Sequence, residues 1–383
     1  MDTYPTWPNL PAMMFGLAQA WPERPMFRAW RDGAWQSIRW GEFGRLVAAC
    51  ARRLLAAGLR PGDRVMIVSE NRPEYAVAET ALMTIRAVSV PAYVTNTVDD
   101  HAHILRDCGA RAAIVSTAVL AQRIREAAAR AGGLDLMIVL DALPGEAGNG
   151  PGVIPRVISW AELVAEADAP ADDVARDAAA IPASTLACLI YTSGTGGTPR
   201  GVILPHRSIL SNCAGAFELL RPMRLRDETY LSYLPAAHSF EHTVGQFFLP
   251  SLGTEIVYGR GVEHFAADML AVRPTILTAV PRVLEVIRTR ALGQVARAPA
   301  WRRRLFEQAM ASGFKRLSGR LGAAERLADP LLDRLVRAKV RARFGGRLKG
   351  VMSGGARLDP EVGLFFLAVG LRVMQGYGQT EAG

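Results

Sequence analysis

The sequence predicts an α/β fold of two similar sub-domains, each a parallel sheet with crossover helices. Three observations predict it. Short apolar runs such as "RVMIVS", "RAAIVS" and "LMIVLD" alternate with helical spacing in the first half. The same alternation returns in the second half, from "TYLSYLP" to "LRVMQGYG". Continuous apolar strands separated by helices are what a sheet buried on both faces requires. The length of 383 residues suits two packed sub-domains, which we place approximately at 40–220 and 221–383.

In chain order, residues 27–31 and 35–39 alternate around Asp32-Gly33, a hairpin pattern. A helix follows at 40–57, then a strand at 64–69 after the Pro61-Gly62 turn. Pro73 sits early in a helix that runs to about Arg86, and "AVSVPAYV" is another strand. Asp99 or Asp100 is the expected cap of a helix ending near Cys108-Gly109. Strands "RAAIVS" and "LMIVLD" come next. Residues 142–182, rich in Ala, Asp, Gly and Pro and with little β pattern beyond "GVIPRVISW", read as a loop-rich connection on the surface of the same sub-domain. "TLACLIYTS" is a buried strand with a second strand at 201–205, and helical spacing resumes after Ser208.

The second half gives strand "TYLSYLP", a helix from about His238 to Leu249, strand "GTEIVYG", a helix at 262–272 and strand "TILTAVP". A long helical section covers roughly 281–344. Strand "RLKGVMSGG", a helix after Asp359-Pro360 and strand "LRVMQGYG" complete the pattern. Ligands are expected at the carboxyl ends of such strands.

Composition narrows the class. No apolar run reaches the roughly 20 residues of a membrane-spanning helix. The opening "MDTYPTWPNLPAMM" lacks the basic head and apolar stretch of a secretory signal. Cys50, Cys108, Cys188 and Cys213 are scattered without metal spacing, which points to a reducing, cytoplasmic compartment. The net charge of +9 is local: residues 302–349 carry 14 Lys and Arg against Glu307, Glu325, Asp329 and Asp333. Aromatics are sparse there (Phe306, Phe314 and Phe344), so nucleic acid is a disfavoured partner. An amphipathic face resting on anionic membrane is one expectation for this segment. The alternative is that its apolar side, with Leu305, Phe306, Ala309 and Met310, packs on the α/β body.

The stretch "IYTSGTGGTPRGVILPH" (190–206) packs Thr, Ser and Gly between two apolar runs and ends in Arg200. Backbone N–H groups of such a loop converge on anions, hydroxyls add donors and Arg adds charge, so it reads as a phosphate cradle or as an ordinary turn. Arg200 is followed by Gly201, and a strand comes next, which disfavours a Walker-type loop. His101 and His103 have no acid or Cys to complete a metal set and read as helix-surface residues.

"YTSGTGGTPRG" resembles the phosphate-binding signature of the adenylate-forming (AMP-binding) superfamily. "YLPAAHSFEH", "SGGARLDPEV" and "QGYGQTEAG" resemble three further segments in the family order, and "SENRPEY" and "TAVPRVLE" also match. The section after "VPRVLE", with "RRRLFEQAM", resembles long-chain fatty-acid–CoA ligases. The resemblance implies the large N-terminal domain of such an enzyme over 1–383, incomplete at its C-terminal end and without the small C-terminal domain. It implies activation of a fatty acid with ATP to acyl-AMP and then acyl-CoA, with Mg²⁺ as cofactor and CoA as co-substrate. Such a chain is expected to be a weak catalyst alone; the alternatives are a non-catalytic nucleotide- or acyl-binding remnant, or an enzyme adenylating another acid.

By resemblance, Thr192, Ser193, Gly194, Thr195, Gly196, Gly197, Thr198 and Arg200 hold the outer phosphates. Gly354, Gly355, Ala356, Gly376, Tyr377 and Gly378 lie on the adenine side, Thr380 donates to the α-phosphate, Glu381 ligates Mg²⁺ and His238 sits near the reacting carboxylate. The bland readings are a capping histidine, a packing tyrosine and a solvated acid. Gly196 stands where the family usually has Thr, and Arg200 where it usually has Lys; a planar fork replaces a point charge.

Overall fold

The computed structural model describes residues 3–142, 155–192 and 197–382. It is an α/β structure built on two mostly parallel sheets. The chain divides into two compact units: Met1–Leu225 with Pro235–Gly253 and Gln379–Gly383, and Arg226–Leu234 with Thr254–Gly378. Among the described residues no helix is long and apolar enough to cross a membrane.

The first unit opens with α1 (Leu10–Ala20), the hairpin β1 (Pro25–Arg31) and β2 (Ala34–Arg39), and α2 (Trp40–Ala56). Then come β3 (Arg64–Val68), α3 (Pro73–Thr84), β4 (Val88–Pro91), α4 (Val98–Cys108), β5 (Ala112–Val115), α5 (Ala118–Ala131) and β6 (Leu136–Val139). Past the undescribed 143–154 lie β7 (Arg156–Ser159), α6 (Trp160–Leu163) and α7 (Asp172–Ala179). The unit continues with β8 (Leu186–Thr192), β9 (Arg200–Pro205) and α8 (His206–Leu220), and adds α9 (Ser239–Thr243), a π-helical turn at Val244–Phe248 and α10 (Leu249–Ser251).

Its sheet has the order β7-β6-β5-β3-β4-β8-β9, all parallel except the antiparallel β8–β9 pair. The central strands are apolar throughout because both faces are covered. On one face Met66, Val68, Ala113, Val115, Met137 and Val139 pack with Ile104 and Leu105 of α4 and Ile124 of α5. Helix α3 is buried on all sides.

The second unit holds β10 (Thr229–Ser232), β11 (Glu255–Tyr258), α11 (Phe265–Val272), β12 (Ile276–Ala279), α12 (Pro281–Ala296), α13 (Ala300–Leu317) and α14 (Ala323–Leu332). A π-helical turn at Asp333–Arg337, α15 (Ala338–Ala342), β13 (Gly350–Ser353), α16 (Pro360–Ala368) and β14 (Val373–Gln375) follow. Five parallel strands run in the order β14-β13-β12-β10-β11.

Three expectations need correction, and one pair of alternatives is decided. The connection at 142–182 carries β7, α6 and α7, with β7 extending the sheet beside β6. The cap of α4 is Thr97, whose hydroxyl accepts the Asp100 N–H while the Asp100 carboxylate accepts the Thr97 N–H; Asp100 is the third helical residue. His101 is fully buried, on the same side of α4 as Ile104 and Leu105. Phe306, Ala309 and Met310 are buried within the second unit, where α13 packs on α16, and Leu305 is half-buried. For Phe306, Ala309 and Met310 the packing alternative therefore holds.

Candidate functional site

The predicted site residues fall into two groups, one in each unit. In the first unit the β8–β9 hairpin brings the two ends of the Thr/Ser/Gly loop together. Thr192, the last residue of β8, pairs with Arg200, the first of β9. Ser193, Gly194, Thr195 and Gly196 lie outside the described residues. Gly197 follows with φ +83°, a left-handed conformation that glycine adopts without strain. Thr198 and Arg200 are exposed. Arg200 has no ion-pair or hydrogen-bond partner among the described residues. Gly201 pairs with Tyr191, and a Cβ on it would approach the Tyr191 ring at 3.0 Å.

Helix α4 supports this hairpin, which sequence reasoning missed. His103 Nε2 lies 2.9 Å from the Pro199 carbonyl oxygen, and the Tyr191 hydroxyl donates to Asp107 Oδ2 at 2.5 Å. Residues 103 and 107 are one helical turn apart, so they share a face; that spacing was the available signal. Burial, with the Asp107 carboxylate beside it, pushes the Tyr191 phenol pKa up, so Tyr191 stays a neutral donor.

Two further chain segments reach this place. Thr192 Oγ1 donates to Glu381 Oε1 at 3.0 Å. The Ser239 and Thr380 hydroxyls are 2.8 Å apart. Ser239 begins α9, and His238 caps it: Nδ1 accepts the Phe240 N–H at 3.2 Å. Partial burial lowers the His238 pKa below the ordinary histidine range, favouring the neutral ring at neutral pH. A neutral imidazole that accepts at Nδ1 carries its proton on Nε2. The start of this segment is tied down by Asn71, whose Oδ1 accepts the Ala236 N–H at 2.9 Å. Next to Asn71, Arg72 bonds both Glu74 and Asp141. Burial works to raise the Glu74 pKa, yet Arg72 and Arg31 hold it below the usual carboxylate range.

In the second unit, Gly354 and Gly376 follow the neighbouring parallel strands β13 and β14, which pair at Ser353–Gln375. The Gly354 N–H donates to Ala279 at 3.2 Å and the Gly376 N–H to Ser353 at 2.8 Å. Gly355 has φ +80°, as a tight turn after a strand demands. Ala356 and Gly378 are exposed, and the Tyr377 ring is 88% exposed. This is a strand-end platform with an uncovered aromatic face.

The family model for AMP-binding enzymes matches residues 16–383. The chain belongs to the AMP-binding enzyme family. Among its curated relatives, the long-chain-fatty-acid–CoA ligase FadD15 of Mycobacterium bovis is 29% identical over 375 residues, 97% of this chain and 60% of that protein. The peroxisomal long-chain acyl-CoA synthetase 6 of Arabidopsis thaliana is 30% identical over 372 residues, covering 91% of this chain and 49% of that protein. This AMP-binding chain thus spans about half to three-fifths of the length of the relatives it matches. Among solved structures, the N-terminal domain of FACL13 from Mycobacterium tuberculosis superposes with a TM-score of 0.65 at 20% identity, covering 97% of this chain and 76% of that one. That likeness concerns the fold alone.

As for metals, no group of three or more His, Cys, Asp or Glu side chains that could hold an ion occurs among the described residues. Glu381 is a single exposed carboxylate. That suits a hard cation held by one or two carboxylates and substrate phosphates, the habit of Mg²⁺.

Proposed function

We propose that this chain activates a long-chain fatty acid with ATP, as the adenylating part of a fatty-acid–CoA ligase working in the cytoplasm. The fatty-acid carboxylate oxygen attacks the α-phosphorus, the bond to the β-phosphate oxygen breaks, and pyrophosphate leaves with that electron pair. The CoA thiol then attacks the acyl carbonyl and AMP leaves. What supports this reading is the family membership, the long-chain ligases among the relatives, and one piece of geometry. The hydrogen bond from Thr192 to Glu381 joins two segments that the family resemblance assigns to one phosphate site.

The residues then have roles that follow from their chemistry. The loop from Thr192 to Thr198 offers hydroxyl and backbone donors to the outer phosphates, and Arg200 adds a cation. Thr380, held by Ser239, donates to the α-phosphate. Glu381 would hold Mg²⁺, which would neutralise phosphate charge. His238, with its proton on Nε2, orients the carboxylate or a phosphate oxygen by donating to it. Tyr377 lies against adenine, with Gly354, Gly355, Ala356, Gly376 and Gly378 allowing close backbone approach.

The test is a hydroxylamine trap. With ATP, Mg²⁺ and palmitate, hydroxylamine attacks the acyl-adenylate carbonyl, AMP leaves and palmitoyl hydroxamate accumulates. Hydroxamate that needs both ATP and palmitate is expected. Its absence, with ATP binding intact, would instead support a non-catalytic nucleotide-binding role.

A further inference from the structure

The second unit contains a cavity of about 620 Å³ that holds none of the residues assigned to the nucleotide or the carboxylate. It lies among α11, α12, α13 and the Leu335–Phe344 stretch. Its size falls within the roughly 300–1,000 Å³ of small-molecule sites. Ile287, Ala291 and Val295, spaced four apart, line one wall from α12, and Leu305 of α13 faces the same space. Val336 and Val340 close it with another four-residue step.

Charge at this cavity has one sign. Arg290, Arg302, Lys339 and Arg343 line it, and no carboxylate does. None of the four has an acidic partner among the described residues. Among the described residues Arg343 donates to the neutral Gln294 amide oxygen, and the Arg302 guanidinium lies 5.0 Å from the Trp301 ring centroid. Most acids of the neighbouring helices are engaged elsewhere: Asp268 with Arg260, Glu285 with Arg282, Glu325 with Lys315, Asp329 with Arg316 and Arg337, and Asp333 with Arg337 and Arg341, while Glu307 of α13 does not line the cavity. An apolar trough with four uncompensated cations complements a molecule with one long apolar tail and an anionic head.

We infer that this cavity binds a monomeric, single-chain anionic amphiphile, a fatty-acid-like carboxylate, at a place distinct from the adenylation site. The tail lies along the α12 wall and the carboxylate meets the arginines and lysine at the rim. The inference stands on the cavity and its charges, and it does not need the chain to be a ligase.

The experiment titrates the 383-residue chain with sodium dodecanoate by calorimetry, without nucleotide. Controls are octanoate, dodecyltrimethylammonium and vesicles of phosphatidylcholine with phosphatidylglycerol. Dodecanoate should bind, octanoate at least tenfold more weakly, since each fully buried methylene is worth up to about fourfold in affinity. Dodecyltrimethylammonium should bind at least tenfold more weakly than dodecanoate. Ala291→Trp, which fills the trough, and the double change Arg302→Glu with Lys339→Glu should each weaken dodecanoate at least tenfold. Circular dichroism checks that each variant is folded, and Val295→Trp replaces Ala291→Trp if that variant is not. Unchanged dodecanoate affinity in folded variants, equal binding of the cationic amphiphile, or binding to vesicles with none to monomeric dodecanoate would overturn the inference. Palmitoyl hydroxamate formation in the same variants separates the two sites: loss of dodecanoate binding here with hydroxamate formation retained is expected. Parallel loss of both in the folded variants would place the amphiphile in the adenylation site and overturn the inference.

Discussion

Thr192 and Glu381, 189 residues apart in sequence, share a hydrogen bond in which the threonine hydroxyl donates to the carboxylate at 3.0 Å. The bond holds one Glu381 oxygen at the end of β8 and leaves the carboxylate exposed. Glu381→Gln keeps a hydrogen-bond acceptor but removes the charge. We expect the Mg²⁺ concentration for half-maximal ATP binding to rise about tenfold or more, since contacts to charged groups are worth about 1.5–3 kcal/mol. An unchanged Mg²⁺ titration would remove Glu381 from the metal's surroundings.

Arg200 stands exposed at the mouth of the hairpin with no described partner. Arg200→Ala should weaken ATP by roughly ten- to a hundredfold, the value of a charge-assisted phosphate contact. AMP, which lacks the outer phosphates, should lose less than threefold. Equal losses for the two nucleotides, measured by calorimetry, would show that Arg200 does not meet the outer phosphates.

His101 is fully buried and neither ring nitrogen has a described partner. Burial is the largest cause of its lowered pKa, about 4 against an ordinary 6.5. The folded chain therefore resists protonation that the unfolded chain accepts, so stability present above pH 6.5 is lost as pH falls toward about 4. The loss is at most about 3 kcal/mol. His101→Leu removes both unpaired nitrogens. Urea unfolding at pH 7.5, 5.5 and 4.5 should show stability equal or higher at pH 7.5 and a shallower decline on the acid side. A decline as steep as in the parent chain would assign the acid sensitivity elsewhere, His206 being the next buried histidine with a pKa of about 4.

Arg337 is fully buried and ties α13, α14 and the following π-helical turn together. Its guanidinium donates to the Ala309 and Asp329 carbonyls at 3.1 and 2.8 Å, and to the Asp329 and Asp333 carboxylates at 2.7 and 3.0 Å. Arg337→Ala should cost about 3–5 kcal/mol, because it leaves the Ala309 and Asp329 carbonyls without their donor and takes from Asp329 and Asp333 one of the two arginines that each holds. Arg337→Met with Asp329→Leu, which replaces the pair by apolar volume, should recover part of that loss. Thermal unfolding measures both, and a double variant no better than the single one would show that unpaired charge is not the source of the cost.

Much of this was legible in the sequence for a physical reason. Strands β3, β5 and β6 are continuous apolar runs because helices cover both faces, and such runs are readable without knowing their neighbours. The loop at 192–201 is readable because anion-binding chemistry restricts it to small, hydroxylic and cationic residues. His101 was misread because its polarity suggested the surface. Its register with Ile104 and Leu105 fixes the buried face of α4, and that register was the better guide. The spacing of His103 and Asp107 places them on one face of α4, but what that face meets could not be seen, since the contacts cross about 90 residues of chain. In 142–182 "GVIPRVISW" carries the β pattern of β7, but the Ala- and Asp-rich composition hid α6 and α7. Ser159 and Glu162 form a capping box that marks the start of α6.

The most direct test of the account is ATP–pyrophosphate exchange, which reports reversal of the step at the α-phosphate and nothing later. The account predicts that the chain, with Mg²⁺ and palmitate, moves labelled pyrophosphate into ATP, that exchange falls to background without palmitate, and that Arg200→Ala lowers it at subsaturating ATP. Exchange that is absent while ATP binds normally, or that proceeds equally well without any fatty acid, would contradict fatty-acid adenylation by this chain.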